Sequence, residues 1–268
     1  MMMRLAVTLP ICGALLIVAS IGAIAQSETS KEWPTYGHDP GGMRFSPLTQ
    51  ITPQNVGQLK VAWVYHMRPA VAVAPAGRGT GGAEGETPEA AQGGRGRGRG
   101  GSGFRASEVT PLVIDGTMYL STPYSRVVAV EPTTGKEVWA FPLPAGSPST
   151  RGVEYWPGNA QTPPQVVFGA SDGKLYSLNA KTGKPNEAFG DNGIVNLNTP
   201  EIMQGTSGRN GLSSPPIVYK NLVITGGTTQ ENPPKGPAGD VRAWYMNTGK
   251  LAWTFHSIPH AGERYKIT

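Results

Sequence analysis

The sequence predicts an all-β fold assembled from β-propeller blades, and three observations carry that prediction. An apolar strand, a turn ending in Thr-Gly-Lys and a strand closing on an aromatic residue recur three times along the chain. Upstream of each copy lies a second hairpin signal. No stretch keeps a long 3.6-residue apolar period, so helix is expected to be minor.

In the first copy Val127–Val130 leads through Thr134-Gly135-Lys136 to Trp139 and Phe141. The middle copy runs from Leu175–Leu178 through Thr182-Gly183-Lys184 to Phe189 and lacks the tryptophan. The third runs from Val241–Trp244 through Thr248-Gly249-Lys250 to Trp253 and Phe255. Ahead of them stand Asp115-Gly116, Asp172-Gly173 and Lys220-Asn221, with apolar runs before each. Asp-Gly between such runs marks a tight hairpin, because glycine accepts the positive φ of a primed turn. Repetition at this scale means one supersecondary unit reused, here an antiparallel sheet of about four short strands. The closing aromatic is expected to pack between neighbouring blades, and three blades are too few to close a ring.

Residues 1–25 read as a signal peptide: Arg4 supplies the positive start, Leu9 to Ile24 is apolar, and Ala23-Ile24-Ala25 suits cleavage. An uncleaved anchor is the lesser reading, since the apolar run falls short of the ~20 residues of a spanning helix. The chain is therefore expected to be periplasmic or secreted after cleavage near Ala25. Cys12, the single cysteine, lies inside that peptide, so residues 26–268 hold no disulfide and no thiolate metal site. The net charge of +5 is too mild to argue for nucleic acid.

From Glu32 the chain reads Glu32-Trp33-Pro34-Thr35-Tyr36-Gly37, then Arg44-Phe45-Ser46, then Asn55-Val56 and Leu59-Lys60. Thr52 to Gln54 reads as a polar turn feeding a strand that ends on Trp63, a fourth closing aromatic. This segment resembles the first signature of the pyrroloquinoline quinone (PQQ) dependent dehydrogenases, with departures at His38 and Thr52. Together with the blade repeats, the resemblance covers nearly all of residues 32 to 260. It implies that 26–268 is part of an eight-bladed quinoprotein-type propeller.

Residues 70–103 interrupt the pattern with Gly/Ala/Arg-rich sequence ending in Arg95-Gly96-Arg97-Gly98-Arg99. An RGG-like nucleic-acid segment is the alternative to a flexible inserted loop. Glu84, Glu86 and Glu89 nearly offset its arginines, which favours the loop, and no nucleic-acid partner is expected.

PQQ is a planar ortho-quinone with three carboxylates, so its site needs cations and donors around the edge. Three places match through the resemblance. Glu108, ahead of Val109-Thr110-Pro111, stands where the family carries a glutamate at the cofactor edge. Arg151 opens Arg151-Gly152-Val153-Glu154-Tyr155, a pattern whose arginine pairs with a PQQ carboxylate in the family. Thr228 and Glu231 stand where a hydroxyl contacts the cofactor and, three positions on, a carboxylate binds Ca²⁺. Read without the resemblance, Glu108 and Glu231 are solvated carboxylates and Arg151 a loop arginine. Gly146–Thr150 occupies the place of the vicinal cysteines of many relatives, and Ala170 that of a cofactor-contacting threonine. His256 and His260 are late titratable residues with an expected structural or solvated role.

The resemblance implies an exported dehydrogenase oxidising an alcohol or sugar by hydride transfer to PQQ, with Ca²⁺ or a lanthanide. A cytochrome c or membrane quinone would accept the electrons. The remaining catalytic groups are expected after Thr268, so this chain is expected to be inactive alone. The alternative is a non-catalytic periplasmic propeller scaffold. Open blade edges are expected to favour self-association.

Overall fold

The computed structural model describes residues 31–69 and 107–259, apart from residues 209, 229, 232 and 233. At residues 230, 231, 234 and 235 it describes the backbone alone. Residues 1–25, the inserted segment 70–103 and His260 lie outside this set.

The described residues form three four-stranded antiparallel sheets in chain order, as the repeats require. Blade one contains β1 (Leu112–Ile114), β2 (Thr117–Thr122), β3 (Arg126–Val130) and β4 (Glu137–Pro142). Blade two contains β5 (Glu154–Trp156), β6 (Gln165–Gly169), β7 (Lys174–Asn179) and β8 (Ile194–Asn196). One turn of helix, α1 (Pro200–Met203), precedes blade three. That blade has β9 (Ile217–Tyr219), β10 (Leu222–Thr225), β13 (Val241–Tyr245) and β14 (Leu251–Phe255). Between β10 and β13 a small hairpin, β11 (Gln230–Glu231) with β12 (Pro234–Lys235), stands apart.

The hairpin signals sit where the sequence puts them. Asp115 and Gly116 both take positive φ, 48° and 69°, as the turn between β1 and β2 demands. Ladder register shifts fall at Ala129/Val130 and Ala243/Trp244, equivalent points of the first and third repeats. Each lies just ahead of its Thr-Gly-Lys turn and bends the strand into it.

Blades are joined by the closing aromatics. Trp63 Nε1 donates to the Pro132 carbonyl at 3.0 Å, and Trp139 Nε1 donates to the Ala180 carbonyl at 2.8 Å. In both cases the ring covers the glycine three residues further on. A Cβ on Gly135 would stand 2.4 Å from the Trp63 ring, and one on Gly183 2.6 Å from Trp139. That is the physical demand behind Thr-Gly-Lys: the glycine supplies both the left-handed φ and a flat seat for the indole. Blade two has no closing tryptophan; Trp156 of its first strand donates Nε1 to the Lys220 carbonyl of blade three at 2.8 Å, and backbone fills the place of the closing aromatic. Gly190 donates its N–H to the Thr248 carbonyl at 2.9 Å, with Phe189 fully buried behind it.

One expectation is corrected. Leu59–Trp63 carries no strand; after a turn and a short 3₁₀ segment (Val56–Gln58) the chain forms no ladder here. A strand needs a hydrogen-bonding neighbour, and among the described residues none lies alongside, so Val61 and Val64 are exposed. Trp63 nonetheless docks, because its seat on Gly135 does not depend on a ladder.

Candidate functional site

The site forms where segments flanking the blade strands run side by side. Ser149 N–H donates to the Gly169 carbonyl and Ser171 N–H to the Ser147 carbonyl, both at 2.9 Å. Leu212 N–H donates to the Ala170 carbonyl at 3.2 Å, and Thr228 N–H to the Gly211 carbonyl at 2.8 Å. These bonds tie together segments from all three blades. Ala170, without the hydroxyl of a threonine, is buried in this strip and contributes backbone.

Hydroxyl groups follow the strip. Ser121 Oγ donates to the Ser149 carbonyl at 2.6 Å, and Ser149 Oγ to the Ser213 carbonyl at 2.9 Å. Ser213 and Thr228 hydroxyls stand 3.1 Å apart. Arg151 leaves the strip beside them, with Nη1 donating to Ser214 Oγ at 3.3 Å and Nε 3.7 Å from Glu108 Oε2. The structure thus brings Glu108, Arg151 and Thr228 into one polar neighbourhood. Glu231 lies three residues beyond Thr228 in β11; its backbone is placed, and its side chain lies outside the described residues.

Local geometry explains why arginine is followed by glycine. Gly152 has φ 129°, and a Cβ there would meet the Thr110 carbonyl oxygen at 3.0 Å. Thr110 N–H in turn donates to the Arg151 carbonyl at 3.1 Å, pinning the arginine backbone beside the Glu108 segment. The side chains stay open, Arg151 52% and Glu108 71% exposed. An ion pair this exposed contributes less than about 1 kcal/mol to stability. Its chemical meaning is a guanidinium held in place with donors to spare, beside serine and threonine hydroxyls. Such a set suits a ligand edged with carboxylate and carbonyl oxygens.

On the other side of Arg151 opens a cleft of about 970 Å³, walled by residues 34–40, Glu154, Tyr155 and the segment from Ser214 to Lys220. Glu154 was legible only as the variable position of the arginine pattern. In β5 it is 5% exposed. Its Oε2 accepts the Thr35 hydroxyl at 3.0 Å and its Oε1 the Tyr155 N–H at 3.3 Å. Burial pushes its pKa up to about 7, against the pull of those hydrogen bonds. Burial likewise pushes the Tyr155 phenol up to about 12. The sequence signal for Glu154 was alternation: it shares a strand face with the buried Trp156.

His256 packs against an acidic partner. Its Nδ1 lies 3.1 Å from Oδ2 of the buried Asp240, which Arg242 also engages at 2.9 Å. Among the described residues no group of three His, Cys, Asp or Glu forms a metal centre, and no helix is long and apolar enough to cross a membrane.

Consecutive antiparallel blades joined by indole docking define a β-propeller domain. The chain belongs to the PQQ family of glucose/ethanol/alcohol dehydrogenase β-propeller domains, whose family model matches residues 33–267. Among curated relatives it is 31% identical to quinoprotein glucose dehydrogenase A of Acinetobacter calcoaceticus, over 88% of this chain and 28% of that protein. It is 32% identical to the dehydrogenase subunit of the quinone alcohol dehydrogenase of Gluconacetobacter polyoxogenes, over 85% of this chain and 26% of that one. The crystal structure of quinohemoprotein alcohol dehydrogenase from Comamonas testosteroni superposes with a TM-score of 0.61 at 29% identity, covering 88% of this chain and 28% of that one. The chain thus spans little more than a quarter of the length of these relatives.

Proposed function

We propose that this chain is the PQQ-holding portion of an exported quinoprotein dehydrogenase that oxidises an alcohol or a sugar. The observation that carries the reading is the convergence of Glu108, Arg151 and Thr228 from separate segments onto one strip. A scaffold would have no use for a guanidinium pinned by Gly152 and flanked by hydroxyls.

The donor set fits PQQ. Arg151 would engage a carboxylate of the cofactor through its planar fork, a role lysine cannot copy. Glu108 orients that guanidinium through the 3.7 Å contact, and the Thr228 hydroxyl adds a donor or acceptor. When bound, PQQ supplies the two-electron acceptor of the oxidation. Glu231, with groups from elsewhere in the complete protein, would hold the Ca²⁺ or lanthanide ion. A cytochrome c or membrane quinone would take the electrons. The chain alone is expected to be inactive, because a hydride-transfer site also needs a base to take the substrate proton, and the chain spans little more than a quarter of its relatives' length.

The test is dye-linked oxidation of primary alcohols and aldoses by the complete protein reconstituted with PQQ and Ca²⁺. Turnover that requires PQQ, with Arg151→Ala weakening PQQ retention on the order of tenfold to a hundredfold, supports the reading. Absence of oxidation of any alcohol or aldose by the reconstituted protein overturns it.

A further inference from the structure

The carboxyl of Glu154 belongs to none of the groups assigned above, and its surroundings give it a role. It projects from β5 into the wall of the cleft and is 5% exposed. Across from it runs the lead-in segment, held to blade one by a reciprocal backbone pair between Trp33 and Val113 at 2.9 and 3.0 Å. Beyond that pair, Thr35 Oγ1 donates to Glu154 Oε2 of blade two at 3.0 Å, and the Tyr36 N–H also bonds that carboxyl.

A buried carboxyl is tolerable neutral, matched by a cation, or ringed by hydrogen-bond donors; here the donors Thr35, Tyr36 and Tyr155 favour the ionised form but are outweighed by burial. The charged and titratable groups around the cleft supply no match. Arg151 is turned to Glu108 and Ser214, and Lys220 Nζ lies over the Tyr219 ring at 5.3 Å. His38 Nδ1 faces Asp39 at 3.6 Å, and Tyr36, Tyr155 and Tyr219 are phenols. The ion pairs of the described residues do not include Glu154.

We propose that Glu154 and Thr35 form a proton-controlled clasp that seats residues 34–40 against blade two when the carboxyl is neutral and releases them when it ionises. Because those residues and Arg151 border the same cleft, release widens the approach to Arg151. Neutral Glu154 sits at small desolvation cost; loss of its proton leaves an unmatched charge whose cheapest relief is hydration, and the segment across the cleft is the movable wall. The titration lies close to neutrality, where the carboxyl's pKa is raised by burial.

The experiment is hydrogen exchange by mass spectrometry on the purified chain from pH 5.5 to 8.5, corrected for intrinsic base catalysis. Peptides spanning 33–42 are expected to lose protection about tenfold or more between pH 6 and 8.5, while β6 and β7 keep theirs. In Glu154→Gln the same peptides are expected to change less than about twofold across the range. His38 remains in that variant, so persistence of the full response there assigns the effect to the imidazole and overturns the proposal. Flat exchange in the wild-type chain, or equal loss of protection in β6 and β7, also overturns it. Should the variant not fold, the infrared band of a protonated carboxyl in the wild-type chain decides: its loss near neutral pH supports the clasp, and its absence at pH 5.5 rules it out.

Discussion

Trp139 and Trp253 occupy the same place in the first and third repeats, yet one is 9% exposed and the other 40%. Trp139 lies on Gly183 with its indole N–H bonded to the Ala180 carbonyl, and its blade shares a continuous apolar cluster with the next. Trp253 lies on the outer face of blade three beside Leu251, itself about half exposed. The comparison teaches that the repeat encodes half of an interface. The aromatic becomes core when a neighbouring turn glycine and carbonyl meet it, and is otherwise an apolar surface awaiting a partner.

The strongest way to break the comparison is to remove each indole. Trp139→Ala is expected to destabilise by about 3–5 kcal/mol in urea melts, through lost burial and the cavity left behind. Trp253→Ala should fall within about 0.5 kcal/mol, as a surface substitution does. Equal costs would mean that Trp253 is covered in solution.

Acidic groups give a second contrast. Glu131 sits partly exposed in the first repeat turn, where hydrogen bonds from Thr133 and Thr134 hold its pKa down at about 2. Glu154 is driven the other way, up to about 7. A folded-state pKa above the unfolded value of 4.5 means the folded chain binds the extra proton between the two. The stability from Glu154 is therefore complete below about pH 4.5 and lost as pH rises through about 7, up to about 3 kcal/mol in all. Glu154→Gln is expected to flatten the urea midpoint between pH 5 and 8. An unchanged slope would show that the carboxyl is hydrated.

Gly183→Ala sharpens the docking half of the comparison. It strains a left-handed φ of 68° and sets a methyl against the Trp139 ring, so a loss of about 1–3 kcal/mol is expected. Gly116→Ala, with positive φ but open space around it, should lose less. The smallest effect falls on the outer face. Trp253→Glu should leave the melt nearly unchanged while lowering concentration-dependent association in sedimentation velocity, because it charges the exposed apolar patch.

Much of the fold was legible because it is written in short-range terms. The turn dipeptides, the short apolar runs of β2, β3 and β13, and the Thr-Gly-Lys spacing all act over a few residues, and the ladders follow them closely. Leu59–Trp63 misled for the same reason: a strand-like pattern becomes a strand only beside a partner. Of the candidate site, Arg151, Glu108 and Thr228 were legible from a family pattern, whereas Ser149, Ser213 and Ser214 were not. Serine in a loop carries no signal until another blade brings an arginine beside it.

By itself the sequence determined the blades: local φ preferences, short apolar runs and a glycine under each docking ring leave little other choice. Only the tertiary structure decided which groups share an environment. It set Arg151 against Glu108, closed the hydroxyl strip across three blades and buried Glu154 beside Thr35. Contact and burial depend on residues more than a hundred positions apart, as Thr35 and Glu154 are, and desolvation exists only once the walls of the cleft have come together.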